Sequence, residues 1–299
     1  MRYKSFDELK SKLTQAKRTP VCAVVCAQED HVIDSIIEAY KSKYIVPVLI
    51  GDETKIKSLL AERGNYDFEV IQADSKEEAA NKGIELVKDG KAQCLMKGIL
   101  ETSTFMKAVL RRESDLKTDG VVSMISFRTL PNYKKLIAFA DAGIMPHPSF
   151  EQKKKMIDEA VSVFNKLGME EPKIAVLCPS EQITEKALES VEAAELKRLN
   201  QEGKIKGCIV EGPISFDLAI NPDAAKIKGF DSPVAGDADM LLFPNLTAAN
   251  VAAKLATFIT NEPSGIFITG TKVPVIVTSR ASSVETKQLC ILLAALQAV

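Results

Sequence analysis

The stretch Val275-Ile-Val-Thr-Ser-Arg-Ala-Ser-Ser-Val-Glu-Thr-Lys287, near the C-terminus, decides how the chain is read. Val275 to Thr278 is β-branched throughout and follows Pro274, which predicts a short buried strand. Ser282-x-x-Glu285 is a capping-box signature and predicts a helix running into the apolar tail Leu289-Cys-Ile-Leu-Leu293. Ser279 and Arg280 fall on the strand-to-helix turn. Free backbone N–H groups and a guanidinium then aim at one place, which suits an anion. Taken alone, the stretch reads first as an ordinary capped helix with a solvated arginine. The rest of the chain changes that weighting.

At 299 residues there is room for two domains or one large α/β unit. The hydrophobic fraction of 46% and charged fraction of 26% are those of a soluble globular protein. Lys+Arg 39 against Asp+Glu 40, with no long run of one sign, leaves no electrostatic footprint for nucleic acid or an anionic membrane. The N-terminus lacks the apolar core of a signal peptide, and the apolar run Leu289 to Val299 is too short to span a bilayer. Six scattered cysteines without a CxxC pair, and two distant histidines (His31 and His147), support neither zinc nor a disulfide framework. Reduced, buried thiols and a cytosolic location are the expectation.

Strand-like and helix-like segments alternate almost from end to end, which predicts α/β layers around mainly parallel sheets. Val21–Cys26, Val46–Ile50, Phe68–Ile71 and Gln93–Gly98 read as strands, with helices at Phe6–Ala16, His31–Tyr40, Lys76–Lys88 and Thr102–Leu110. Val121–Ser126 and Leu136–Ala140 are two consecutive strands, expected to be an antiparallel pair or a crossing between domains. Asp141-Ala-Gly-Ile-Met-Pro-His-Pro148 is the expected linker. A second α/β set follows: strands Ile174–Cys178, Cys208–Val210, Met240–Phe243 and Gly265–Thr269, and a long helix from Pro179-Ser180 to about Leu199. The expected division is residues 1–146 with 279–299, and 147–278.

Ends of these strands carry unusual polar residues: Lys97-Gly98, Ser123, Asp141, Glu211-Gly-Pro213, Lys272 and Ser279-Arg280. Several cations beside small or hydroxyl residues, without metal ligands, describe a site for a phosphate-bearing or otherwise anionic substrate. Singly, each has a plainer reading: a surface lysine, a cap, a turn. The fingerprints G-x-G-x-x-G, G-x-x-x-x-G-K-[ST] and G-x-S-x-G are absent from the sequence, which removes the main support for dinucleotide, P-loop and nucleophilic-serine readings.

The chain resembles the phosphotransacylases, the phosphate acetyltransferase and phosphate butyryltransferase family, and looks closer to the butyryl branch. Carrying the match are Leu95-Met-Lys-Gly98 followed by Thr102, Asp141-Ala142, Glu211-Gly-Pro213 with Phe216-Asp217, Ser232-Pro-Val-Ala-Gly-Asp-Ala-Asp239, and Pro274 with Thr278-Ser-Arg280. The octapeptide and the Thr-Ser-Arg turn are the most specific. What the resemblance implies is two α/β domains with an interdomain cleft, as in isocitrate and isopropylmalate dehydrogenases, and a homodimer. It also implies reversible acyl transfer between coenzyme A and inorganic phosphate, with no cofactor beyond coenzyme A itself as substrate. By position, Ser279 would hydrogen-bond the leaving thiolate or the developing charge, and Arg280 would hold phosphate and stabilise the oxyanion. Lys97, Gly98, Thr102, Lys107, Ser123, Asp141 and Lys272 would bind substrate.

Departures cluster where the family's proton acceptor stands. The acetyl branch's aspartate is Thr286 here, and the acid of the butyryl branch is Ser282. A family histidine is Met124, and an arginine is Lys107. Glu285 is the nearest carboxylate and the expected base, although a capping-box role explains it equally well. These departures motivate the rival reading, a non-catalytic protein of the same fold that binds CoA or acyl phosphate. A metal-dependent dehydrogenase ranks lower, for want of an aspartate cluster.

Overall fold

In the computed structural model, which describes residues 2–64, 66–279 and 282–299, the chain begins α1 (Phe6–Thr14), β1 (Val21–Val25), α2 (Asp30–Lys41), β2 (Val46–Gly51), α3 (Glu53–Ala61) and β3 (Glu69–Gln72). It continues α4 (Lys76–Lys88), β4 (Cys94–Lys97), α5 (Thr102–Leu110), β5 (Ser123–Arg128), β6 (Ile137–Ala140), α6 (Phe150–Lys166), β7 (Lys173–Leu177) and α7 (Leu188–Gln201). The remainder is β8 (Ile209–Ile214), α8 (Phe216–Ile220), α9 (Pro222–Ile227), β9 (Met240–Leu242), α10 (Leu246–Thr260), β10 (Ser264–Thr269), β11 (Val275–Ile276) and α11 (Val284–Ala298).

Contacts gather these elements into two compact units. The first holds Met1–Phe6 and Ser123–Ser264, the second Asp7–Val122 and Gly265–Val299. In the second unit the strand order is β3-β2-β1-β4-β11-β10, parallel except for β10. Its central strands β1, β4 and β11 are buried along nearly their whole length, as strands of a parallel sheet covered on both faces are. The apolar C-terminal tail is α11, buried nearly all round from Leu289 to Gln297, and it packs against α2. In the first unit the order is β5-β6-β9-β7-β8, with β5 and β6 antiparallel and the rest parallel.

These units divide the chain at 6/7, 122/123 and 264/265, whereas the sequence reading divides it at 146/147 and 278/279. The Pro- and Gly-rich segment after β6 is tied into the first unit by Asp141. Its buried carboxylate accepts from the N–H groups of Met124 (2.9 Å), Gly143 (3.1 Å), Ile144 (3.2 Å) and Met145 (2.7 Å). The long charged helix begins at Leu188, eight residues beyond Ser180. Ser190 Oγ accepts from Thr184 N at 2.9 Å and reaches the Ala187 carbonyl at 2.7 Å, a local competitor to the helix. Glu211-Gly212-Pro213, read as a strand end, lies within β8, where Glu211 pairs with Lys197 at 2.7 Å.

The octapeptide 232–239 is a structural junction. Asp239, fully buried, accepts from Lys135 Nζ (2.6 Å), Arg2 Nε (2.9 Å) and Lys173 N (2.8 Å). Asp237 pairs with Lys173 at 2.5 Å and with Lys134 and Lys135 at 2.9 Å. These groups join the N-terminal starts of β6, β7 and β9, the end of a parallel sheet away from where ligands bind in open α/β sheets.

Candidate active site

Strands β1, β4 and β11 are parallel neighbours in the second unit, so their C-terminal ends lie side by side. Strand β4 ends in Lys97-Gly98, β11 leads into Thr278-Ser279, and β1 leads to Glu29 at the start of α2. Gly98 permits the close approach: a Cβ there would stand 2.2 Å from the Cys26 carbonyl oxygen. Gly98 N and Ile99 N donate to the carbonyls of Val25 (2.7 Å) and Cys26 (2.8 Å), locking the end of β4 to the end of β1.

A cavity of about 60 Å³ opens at this junction, walled by Lys97, Gly98 and Ile99 on one side and by Thr278, Ser279 and Lys287 on another, with Glu29 and Val32. Lys97, 3% exposed, donates to the carbonyls of Gly98 (3.2 Å) and Leu100 (3.1 Å). Lys287, 2% exposed, donates to the Ser282 carbonyl at 2.5 Å. Glu29 caps α2 by accepting from Val32 N at 2.9 Å through one carboxylate oxygen. Two ammonium groups against one carboxylate leave the walls net positive.

A wider cavity of about 380 Å³ lies in the same unit, lined by Cys26, Gln28, Gly51, Asp52, Asp74, Ser75 and Lys76 among others. Asp52 and Asp74 outnumber Lys76 there, so the smaller cavity is the better anion site. Burial pushes the Cys26 thiol up to about 11, which keeps it protonated and unsuited to nucleophilic chemistry. All six cysteines are buried free thiols. Among the described residues no group of three or more His, Cys, Asp or Glu could hold a metal ion, and no helix is long and apolar enough to cross a membrane.

Lys97, Gly98 and Ser279 thus come together. Arg280 lies outside the described residues. Thr102 and Lys107 are exposed on α5 and do not line the cavity. Glu101, rather than Thr102 or Ser103, occupies the N-cap position of that helix. Lys272 stands before β11, at the opposite end of the strand from Ser279, and pairs with Asp115 at 2.7 Å. Ser123 and Asp141 belong to the first unit. Burial raises the Asp141 carboxyl, against the backbone N–H bonds that pull it down.

Glu285 is exposed and outside the cavity; its charge acts on Lys10 of α1. It is not part of a capping box either, because Ser283 is the N-cap and its side chain accepts from Thr286 N at 3.1 Å. The two charged cavity residues that sequence reading missed are Glu29 and Lys287. Each carried a signal: Glu29 follows a buried parallel strand, and Lys287 interrupts the apolar side of a helix.

The fold and this cavity define a class: an α/β protein with a cationic pocket at the carboxyl edge of a mainly parallel sheet. Residues 52–295 match the family model described as phosphate acetyl/butaryl transferase. Over 298 residues the chain is 38% identical to the phosphate butyryltransferase of Clostridium beijerinckii, covering 99% of this chain and 98% of the relative. It is 39% identical over 274 residues to the phosphate acetyltransferase of Thermotoga maritima, covering 91% and 93%. Its fold matches the crystal structure of a branched-chain phosphotransacylase from Enterococcus faecalis V583 with a TM-score of 0.83 and 28% identity, over 94% and 99% of the two chains. The chain belongs to the phosphate acetyl/butyryl transferase family.

Proposed function

We propose that this chain catalyses acyl-CoA + phosphate ⇌ acyl phosphate + CoA, preferring a short or branched acyl chain longer than acetyl. The observation that carries the reading is the cavity where Lys97, Ser279 and Lys287 meet, one residue before Arg280, in a chain with phosphotransacylase relatives along nearly its whole length. The preference for butyryl over acetyl rests on the butyryltransferase match across 99% of the chain.

The chemistry asks little of the protein beyond orientation. Phosphate is largely dianionic near neutral pH, its second pKa being about 6 to 7 by comparison with phosphoryl groups. One of its oxygens bonds to the thioester carbonyl carbon, the C–S bond breaks, and the proton of HPO4(2−) ends on the CoA sulfur. Ser279 is assigned to the leaving thiolate or developing oxyanion, and Arg280 to phosphate and the tetrahedral oxyanion. Lys97 and the Gly98 turn hold the anionic reactants. Glu29, the carboxylate on the cavity wall, is assigned the proton transfer in place of Glu285.

Val251, Leu255, Phe258 and Ile259 form an exposed apolar stripe on α10, which supports a homodimer. The test of activity is release of CoA thiol from a panel of acyl-CoAs with and without phosphate. Phosphate-dependent release ranked by chain length establishes the reaction and its substrate. CoA binding without release from any acyl-CoA gives the non-catalytic reading instead.

A further inference from the structure

Lys287 carries a buried ammonium group on the wall of the cavity. Its side chain is 2% exposed, and among the described residues no carboxylate stands within ion-pairing distance of it. It occupies the first turn of α11, four residues after the Ser283 cap, where the helix dipole disfavours a cation. Burying an ammonium group away from a counter-charge is costly, and the bond to the Ser282 carbonyl employs one of its three donors. A neutral donor could hold that carbonyl without the desolvation.

The cavity that Lys287 lines supplies the reason for the charge. About 60 Å³ is roughly four to six water-sized positions at about 10–15 Å³ each, the scale of a five-heavy-atom anion such as phosphate. Lys97 lines the same cavity, and so does Ser279. We propose that Lys287 is a ligand of the phosphate reactant, its ammonium donating to phosphate oxygens in the cavity it shares with Lys97 and Ser279. This rests on the acyl-transfer reading above and adds to it a residue outside the Ser-Arg turn. Ser282, whose carbonyl accepts from Lys287, donates its own N–H to the Ser279 carbonyl at 3.1 Å.

The test compares wild type with Lys287→Met and Lys287→Arg, reading initial rates against phosphate and acyl-CoA and the melting temperature with and without inorganic phosphate. For Lys287→Met the expected result is a rise of about tenfold or more in KM for phosphate, the loss of one charge-assisted hydrogen bond. KM for acyl-CoA should stay within about twofold, since the lost binding is specific to one substrate. The phosphate-induced rise in melting temperature should shrink correspondingly, while the ligand-free value is equal to or above wild type. Lys287→Arg should keep most of the phosphate response. An unchanged phosphate KM with a lowered ligand-free melting temperature would make Lys287 a brace for the turn and overturn the proposal. Should Lys287→Met not fold, Lys287→Gln is read the same way. If wild type releases no CoA, the acyl-transfer reading has failed on its own. Calorimetric titration of inorganic phosphate into both proteins then still decides this one, equal affinities counting against it.

Discussion

Lys135 Nζ and Asp239 Oδ1 stand 2.6 Å apart with side chains 5% and 0% exposed, a nearly sealed ion pair joining the start of β6 to the start of β9. A buried pair adds little over an apolar substitute, but breaking it leaves Lys135 with Asp237 as its counter-charge, at 2.9 Å, and a cost toward the low end of about 3–5 kcal/mol. Asp239→Asn should therefore lower the unfolding free energy by about that amount in a denaturant titration. The double variant Lys135→Met, Asp239→Leu should recover part of the loss, and only part, because Arg2 and the Lys173 N–H also bind Asp239. No recovery would mean that the pair's charges are not what costs stability in the single variant.

Asp237 gives this junction its pH dependence. Burial alone would push its carboxyl up, but hydrogen bonds from Lys173, Lys135 and Lys134 hold it well below the usual carboxylate range. The folded-state value is depressed, so the associated stability is fully present above the unfolded value of about 4 and is lost as pH falls below it. The stability gap between wild type and Asp237→Asn should be widest near neutral pH and shrink in acid. A gap independent of pH would remove the carboxylate's charge from the account.

The alternating elements were legible because hydrophobic period and length speak locally: the helices at 76–88 and 102–110 stand where the pattern puts them. The boundaries between units were not, since Asp141 overrides a Pro- and Gly-rich linker signal through backbone bonds to residues on both sides of it. The octapeptide 232–239 was recognisable by resemblance, yet its acids serve β-strand junctions, a role that only the spatial pairing with Lys135 and Lys173 reveals. Lys97, Gly98 and Ser279 were legible as strand ends. Lys272 was misleading in the same way, because being at a strand end does not say which edge of the sheet that end faces.

Arg280 is next in sequence to Ser279, which lines the cavity, and its assigned task is bidentate. Arg280→Lys keeps the charge but loses the planar fork, so turnover should fall by about 100-fold or more, as with loss of an oxyanion donor. Unchanged kcat and KM would remove Arg280 from the transition state.

Phe258 is 74% exposed in the apolar stripe on α10. If that stripe is the self-association surface, Phe258→Asp places a charge on both sides of an isologous contact and should shift the protein to monomer in sedimentation velocity. The helix itself should be unaffected, since the position faces solvent within the chain. An unchanged sedimentation coefficient would put the stripe outside any dimer contact.

The proton acceptor separates the two carboxylates. Glu29 lines the cavity with Ser279, whereas Glu285 is exposed outside it on the second position of α11. Glu29 also caps α2 by accepting from Val32 N, and a glutamine side-chain oxygen can accept the same bond. Glu29→Gln should thus fold as wild type and lose about 100-fold or more in turnover, the usual worth of a positioned base. Glu285→Gln should change neither turnover nor melting temperature appreciably, because its carboxylate neither lines the cavity nor completes the cap. If instead Glu285→Gln carries the loss and Glu29→Gln is silent, the proton leaves the cavity on the α11 side, and Glu29 is a helix cap alone.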